Sequence, residues 1–163
     1  MRVPYVTMAV LVIGVALGIT VPTWAGATPV LSINETQELN FATLAKPLGS
    51  QTLTVSPTGV ASGSGTILYN NVFNGTYSIL STGGTPPPTI EIDIANVQSG
   101  SGYSFSDFKG EYDGTPINSF PAVGLATPNG VAKILKIGAT VTYNNSVAVG
   151  TFTPTFDIVV NYE

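Results

Sequence analysis

The sequence predicts an all-β domain built as an antiparallel β-sandwich, and three observations carry that expectation. Apolar and polar residues alternate with period two in several separate runs. Gly or Pro interrupts nearly every window of twelve residues, so no stretch is long enough for an amphipathic helix. Short turn motifs divide the alternating runs. Alternation is clearest in Thr89–Val97, where Ile90, Ile92 and Ile94 share one face and Glu91, Asp93 and Ala95 the other. In Gln51–Ser56, Leu53 and Val55 alternate with Thr52 and Thr54. Tyr77 with Ile79, Tyr103 with Phe105, and Val141 with Tyr143 repeat the pattern. Asn74-Gly75, Asp113-Gly114, Asn129-Gly130 and Asn144-Asn145 supply the turns between runs. Gly83-Gly84-Thr85-Pro86-Pro87-Pro88 cannot sit inside a sheet and reads as an extended loop. Seven to nine strands are expected. Periodicity does not fix closure, so a closed barrel stays open as the alternative.

The first 27 residues read as a secretion signal rather than as part of that domain. Arg2 provides a positive end, Met8–Val21 is an uncharged apolar run, and Pro22 precedes the small-residue pattern Ala25-Gly26-Ala27. The run is short of the ~20 residues a membrane-spanning helix needs, and no Lys or Arg follows it before Lys46. The chain is therefore expected to be exported, through the periplasm to the cell surface or medium. Intact-mass measurement of exported protein should give a species beginning at Thr28; one retaining Met1–Ala27 would overturn the export argument.

Beyond Ala27 the chain holds no Cys, Met, Trp, His or Arg, and carries four Lys against nine Asp and Glu. Without His the usual proton shuttle and metal ligand near neutral pH is missing. Without Cys there is no thiol nucleophile, thiolate metal site or disulfide, so packing alone must supply stability. The acidic balance gives no footprint for nucleic acid.

The remaining candidates for chemistry have weak signals. Asp107, Glu111 and Asp113 lie in the stretch SDFKGEYDG, but their spacing does not match a calcium loop and too few oxygen ligands are present. Glu91 and Asp93 share one strand face, and a single strand cannot place two carboxyls across a cleft. Ser62-Gly63-Ser64-Gly65 lacks the Lys and helix of a phosphate-binding loop. No base stands at a recognisable spacing from a Ser or Thr nucleophile. No catalytic, cofactor or metal site is expected, and the chain is not expected to be an enzyme.

The last fourteen residues, Gly150 to Glu163, read GTFTPTFDIVVNYE, with Phe156, Ile158, Val160 and Tyr162 on one face of a strand running to the end. A glycine fourteenth from the end, alternating apolar residues and a penultimate Tyr resemble the assembly signature of chaperone–usher pilus subunits. That resemblance implies an incomplete immunoglobulin-like sandwich completed by strand donation. It also implies partners: a periplasmic chaperone that zips onto the final strand, an outer-membrane usher, and identical subunits whose N-terminal extensions fill one another's grooves. The physical basis is strand addition, with main-chain hydrogen bonds for affinity and pockets for alternate side chains. The N-terminal extension is then residues 28–38 and the sandwich 39–163. Val30, Leu31 and Ile33 are its most apolar residues and the candidate donor strand, although Glu35 and Gln37 interrupt the same face.

A second resemblance covers most of the chain. LNFATL (Leu39–Leu44), LTVSPTG (Leu53–Gly59), NGTYSI (Asn74–Ile79) and VGTFTPTFDIVVNY (Val149–Tyr162) are similar to a secreted bacterial family of unknown function. Ala42 and Pro154 stand where that family usually has Gly. The expected function is a structural subunit of an extracellular fibre, a pilus or fimbria, which can also meet a host or surface receptor. The alternative is a self-contained secreted sandwich binding a glycan or matrix partner.

Overall fold

The computed structural model describes residues 27–147 and 149–163, so the expected leader lies outside the described residues except for Ala27. The described residues form strands and loops without a helix. In chain order the strands are β1 (Val30–Gln37), β2 (Asn40–Leu44), β3 (Gln51–Val55), β4 (Ala61–Gly63) and β5 (Ile67–Phe73). They continue with β6 (Gly75–Thr82), β7 (Thr89–Ala95), β8 (Tyr103–Tyr112) and β9 (Thr115–Ile117). The last four are β10 (Ala122–Ala126), β11 (Lys133–Tyr143), β12 (Gly150–Thr151) and β13 (Asp157–Tyr162). That is more than the seven to nine expected. Most of the surplus comes from β4, β9 and β12, which have two or three residues and are too short to show a period.

The strands form an antiparallel sandwich rather than a closed barrel. The largest sheet is organised around β11, whose length lets it serve several neighbours. Along one edge Lys133–Ile137 pairs with β6 and Ala139–Tyr143 pairs with β3; the opposite edge carries β8. Beyond these lie β1 on β6, β4 on β3 and β9 on β8. Gly138 marks the handover from β6 to β3, where the Val55 carbonyl and Ser56 crowd the backbone so closely that a Cβ would overlap them.

Two three-stranded sheets cover this one. The sheet β10-β7-β13 lies over the β6 end, and Ile90, Ile92 and Leu125 there meet Ile79, Leu135, Ile137 and Tyr112. The sheet β12-β2-β5 lies over the β3 end, where Leu39, Phe41, Leu44 and Phe152 meet Leu53, Val55, Val141 and Tyr143. Phe108 and Phe156 pack against both halves of the core, with ring centroids 5.2 Å apart. The alternating triplet Ile90, Ile92 and Ile94 faces inward as expected, and Gly83–Pro88 is a loop. Asp113 and Gly114 both have positive φ, the conformation of a tight type I′ hairpin turn between β8 and β9.

The sequence between β2's Phe41 and Thr43 contains a register shift opposite β5, and Ala42 at that point has a φ of 72°. The Asn40 carboxamide accepts a hydrogen bond from the Ala42 amide at 2.8 Å and holds the bulge. This left-handed conformation is the physical reason glycine suits the position. Ala42→Gly should relieve about 1–2 kcal/mol of backbone strain. It also forfeits a buried methyl worth ~0.8 kcal/mol and adds freedom to the unfolded chain. The net change in urea unfolding should therefore stay within about 1 kcal/mol, whereas Ala42→Val should lose about 3 kcal/mol.

Candidate assembly site

Of the residues singled out for assembly, Leu31, Ile33, Phe156, Ile158, Val160 and Tyr162 share one half of the core, where β1 is an edge of the large sheet and β13 an edge of the sheet above it. Segment 28–38, expected to extend from the domain, instead lies against it. β1 pairs antiparallel with β6, placing Leu31 opposite Ser81, Ile33 opposite Ile79 and Glu35 opposite Tyr77. Directly opposed residues share a face, so these three side chains lie on the inner side of the sheet, with Glu35 exposed at its margin. Leu31 and Ile33 are half-buried there, whereas Val30 has the opposite parity and is 43% exposed. Of the three candidate donor residues, two reach the core and Val30 does not.

Glu35 and Gln37, which interrupt the apolar face in sequence, end the strand in a defined way. The Tyr77 hydroxyl donates to Glu35 Oε1 at 3.2 Å, and Gln37 Nε2 donates to the Asn74 carbonyl at 2.8 Å. Between them the register slips by one residue. Burial, followed by the charge of Glu35 and the hydrogen bond to it, pushes the Tyr77 hydroxyl above the ordinary tyrosine range. It therefore remains a proton donor at neutral pH.

The C-terminal segment divides into two parts. Gly150 lies in β12, opposite Leu44 in the β2 sheet, and not in the final strand. Pro154, which has no amide hydrogen to donate, lies in the crossing that carries the chain to the other covering sheet, and pairing resumes at Asp157. The expected single strand from Gly150 to the end is corrected accordingly. From Phe156 onward the alternation holds: Phe156, Ile158, Val160 and Tyr162 are half-buried against the core, and β13 pairs with β7 from Asp157–Ala95 to Tyr162–Ile90.

Tyr162 adds a polar contact across the two sheets. Its hydroxyl lies 2.7 Å from Ser81 Oγ, and Ser81, 1% exposed, sits opposite Leu31. The Ser81 amide donates to the Pro128 carbonyl and the Ser81 carbonyl accepts from the Gly130 amide. Thus the penultimate tyrosine, the inner face of β6 and the first inward residue of β1 converge on one serine. Nothing in the local sequence pattern marks Ser81 for this role. Its importance arises from the pairing of distant strands.

The other candidate residues are dispersed. The Lys136 ammonium lies 3.0 Å from Glu111 and that of Lys133 3.1 Å from Asp113, while Asp107 is exposed at a positive-φ position on β8. Asp107, Glu111 and Asp113 therefore do not converge as a ligand set, and such surface pairs contribute only about 0–1 kcal/mol each. Glu91 and Asp93 lie on the outer face of β7, opposite Asn161 and Val159. The amides of Ser64 and Gly65 both donate to the Thr52 carbonyl, so the glycine-rich turn spends its donors on its neighbour strand. An open depression of about 260 Å³ beside Tyr103 and Tyr143 is lined mainly by hydroxyl, amide and backbone groups.

Residues 31–162 match the family described as Domain of unknown function (DUF4402). The chain belongs to that family. The matched span begins at the inward Leu31 of β1 and ends at the inward Tyr162 of β13, so the DUF4402 domain includes both edge strands of the candidate site. Comparisons with curated proteins and with solved structures give no match.

Proposed function

We propose that this DUF4402 chain is an exported structural subunit of an extracellular surface fibre, of the pilus or fimbria kind, whose units are joined by exchange of β1. The supporting observation is that β1 is a terminal edge strand occupying a site that another copy's β1 would fit equally well. Only Leu31 and Ile33 meet the core. Withdrawing them would cost about 2–3 kcal/mol of burial. The same contacts re-form when an identical strand replaces the first, which makes exchange of like elements inexpensive. The connection to β2 is Glu38 and Leu39; Leu39 is anchored in the core, so the exposed Glu38 is the point at which the strand swings away.

In this reading β6 supplies main-chain hydrogen bonds to the incoming strand, and the inner faces of β6 and β13 receive its alternate side chains. The partners are identical subunits, with a periplasmic chaperone protecting the open edge and an outer-membrane usher passing subunits to the surface. A host or surface receptor completes the set, and the chain has no catalytic role. A second reading, a self-contained secreted sandwich that binds a glycan or matrix partner, is favoured by the fact that β1 already completes the sheet of its own chain.

Deletion of Thr28–Asn34 separates the two. The fibre reading expects subunits that persist with a chaperone and show no surface fibres by electron microscopy. Fibres from the truncated protein, or a full-length monomer that never polymerises on prolonged incubation, would leave the self-contained module as the better reading.

A further inference from the structure

We propose that Glu35 is the register lock of β1, admitting this strand to the β6 groove in one alignment only, whether the groove belongs to its own chain or to a neighbour. It rests on the exchange reading only for the neighbour's groove. The inner face of β6 presents a polar, an apolar and a polar position in turn: Ser81 with the Tyr162 hydroxyl, Ile79, and Tyr77. The inner side of β1 answers with Leu31, Ile33 and Glu35, and the carboxylate accepts a hydrogen bond from the Tyr77 hydroxyl.

The alternatives fail for different reasons. A slip of one residue turns Ser32 and Asn34 inward and Leu31 and Ile33 outward. A slip of two residues in one direction sets Ile33 opposite Ser81 and Glu35 opposite Ile79, a side chain with no solvent exposure. A carboxylate there takes the half-buried place of Ile33, loses the Tyr77 hydroxyl and finds no hydrogen-bond donor on Ile79. The opposite slip takes Glu35 off Tyr77 to a place opposite Gly75 and sets Ile33, which cannot accept a hydrogen bond, against the Tyr77 hydroxyl. Leu31 and Ile33 alone would be compatible with either two-residue slip, because two apolar side chains two residues apart read the same after a shift. Glu35 removes that ambiguity, at the position that in sequence looks like a flaw in the apolar face.

The absence of cysteine makes the register directly measurable. Because the Ser81 amide donates to the Pro128 carbonyl and the Ser81 carbonyl accepts from the Gly130 amide, Leu31 and Ser81 form a non-hydrogen-bonded pair, the closely spaced geometry a disulfide tolerates. In the full-length protein, Leu31→Cys with Ser81→Cys reports the observed register, and Ile33→Cys with Ser81→Cys reports the slip of two. With Glu35 present, mild oxidation should cross-link the first pair and not the second. Adding Glu35→Leu should raise cross-linking of the slipped pair about tenfold, the change that ~1.4 kcal/mol brings. Glu35→Gln, which keeps a polar acceptor, should not.

An unchanged slipped pair in the Glu35→Leu background, with the in-register pair still cross-linking, would overturn the lock. So would a failure of the in-register pair with Glu35 in place. The same non-reducing gel reads the exchange separately: covalent ladders mean the strand lies in a neighbour's groove, and cross-linked monomers mean it lies in its own. Failure of the lock and failure of the fibre reading are therefore distinct results.

Discussion

Ile158→Asp should destabilise the domain by about 3 kcal/mol, because it directs a carboxylate from β13 into the core half shared by Ile79, Ile92 and Ile137. Among the described residues no lysine belongs to that core group, so the new charge has no compensating partner there. Tyr162→Phe is the graded control. It keeps the ring and removes only the hydroxyl, which leaves buried Ser81 without its side-chain contact across the sheets and should cost about 1–2 kcal/mol. Chemical denaturation with an unchanged m value would measure both. A loss for Ile158→Asp no larger than that for Tyr162→Phe would mean the β13 face is not packed as described. In cells the first substitution should deplete the subunit before any assembly step, whereas loss of β1 acts on assembly itself.

Gly138→Val should be as damaging, through backbone collision rather than charge. A Cβ at this position would overlap the Val55 carbonyl oxygen and the Ser56 backbone, neither of which can rotate away as a side-chain tip can. The space is closed because β11 transfers its edge from β6 to β3 at this residue, so three strands approach one point. The expected loss is about 3 kcal/mol or more, with a soluble yield well below that of the parent protein. Gly114→Ala tests the contrast: nothing lies within 4 Å of a Cβ there, and only the positive φ of 82° resists the change. It should lose about 1 kcal/mol. Equal losses at the two glycines would show that crowding at Gly138 contributes nothing.

The fold class was legible because its signal is local. Ile90, Ile92 and Ile94 alternate over a single strand, and Asp113-Gly114 selects its hairpin turn from two residues' backbone preferences. Short strands were hidden for the same reason: β12 has two residues, and a period needs more than that. The end of the chain shows how a single residue can divide an apparently continuous pattern. Gly150 and Tyr162 belong to one fourteen-residue motif in sequence, yet they lie in different sheets on either side of Pro154.

The sequence by itself determined that this chain is all-β with alternating apolar faces at both ends, and that Leu31, Ile33, Ile158 and Tyr162 belong to those faces. Side-chain parity along a strand follows from the two-residue repeat of the backbone, which needs no knowledge of the partner strand. Only the tertiary structure decided where the faces go: β1 against β6, β13 against β7, and Ser81 between Leu31 and Tyr162. It also turned Glu35 from an interruption into a contact with Tyr77. Those relations join residues more than forty positions apart, and which distant strands pair depends on how the sheets bury one core together, a property of the whole chain that no local pattern encodes.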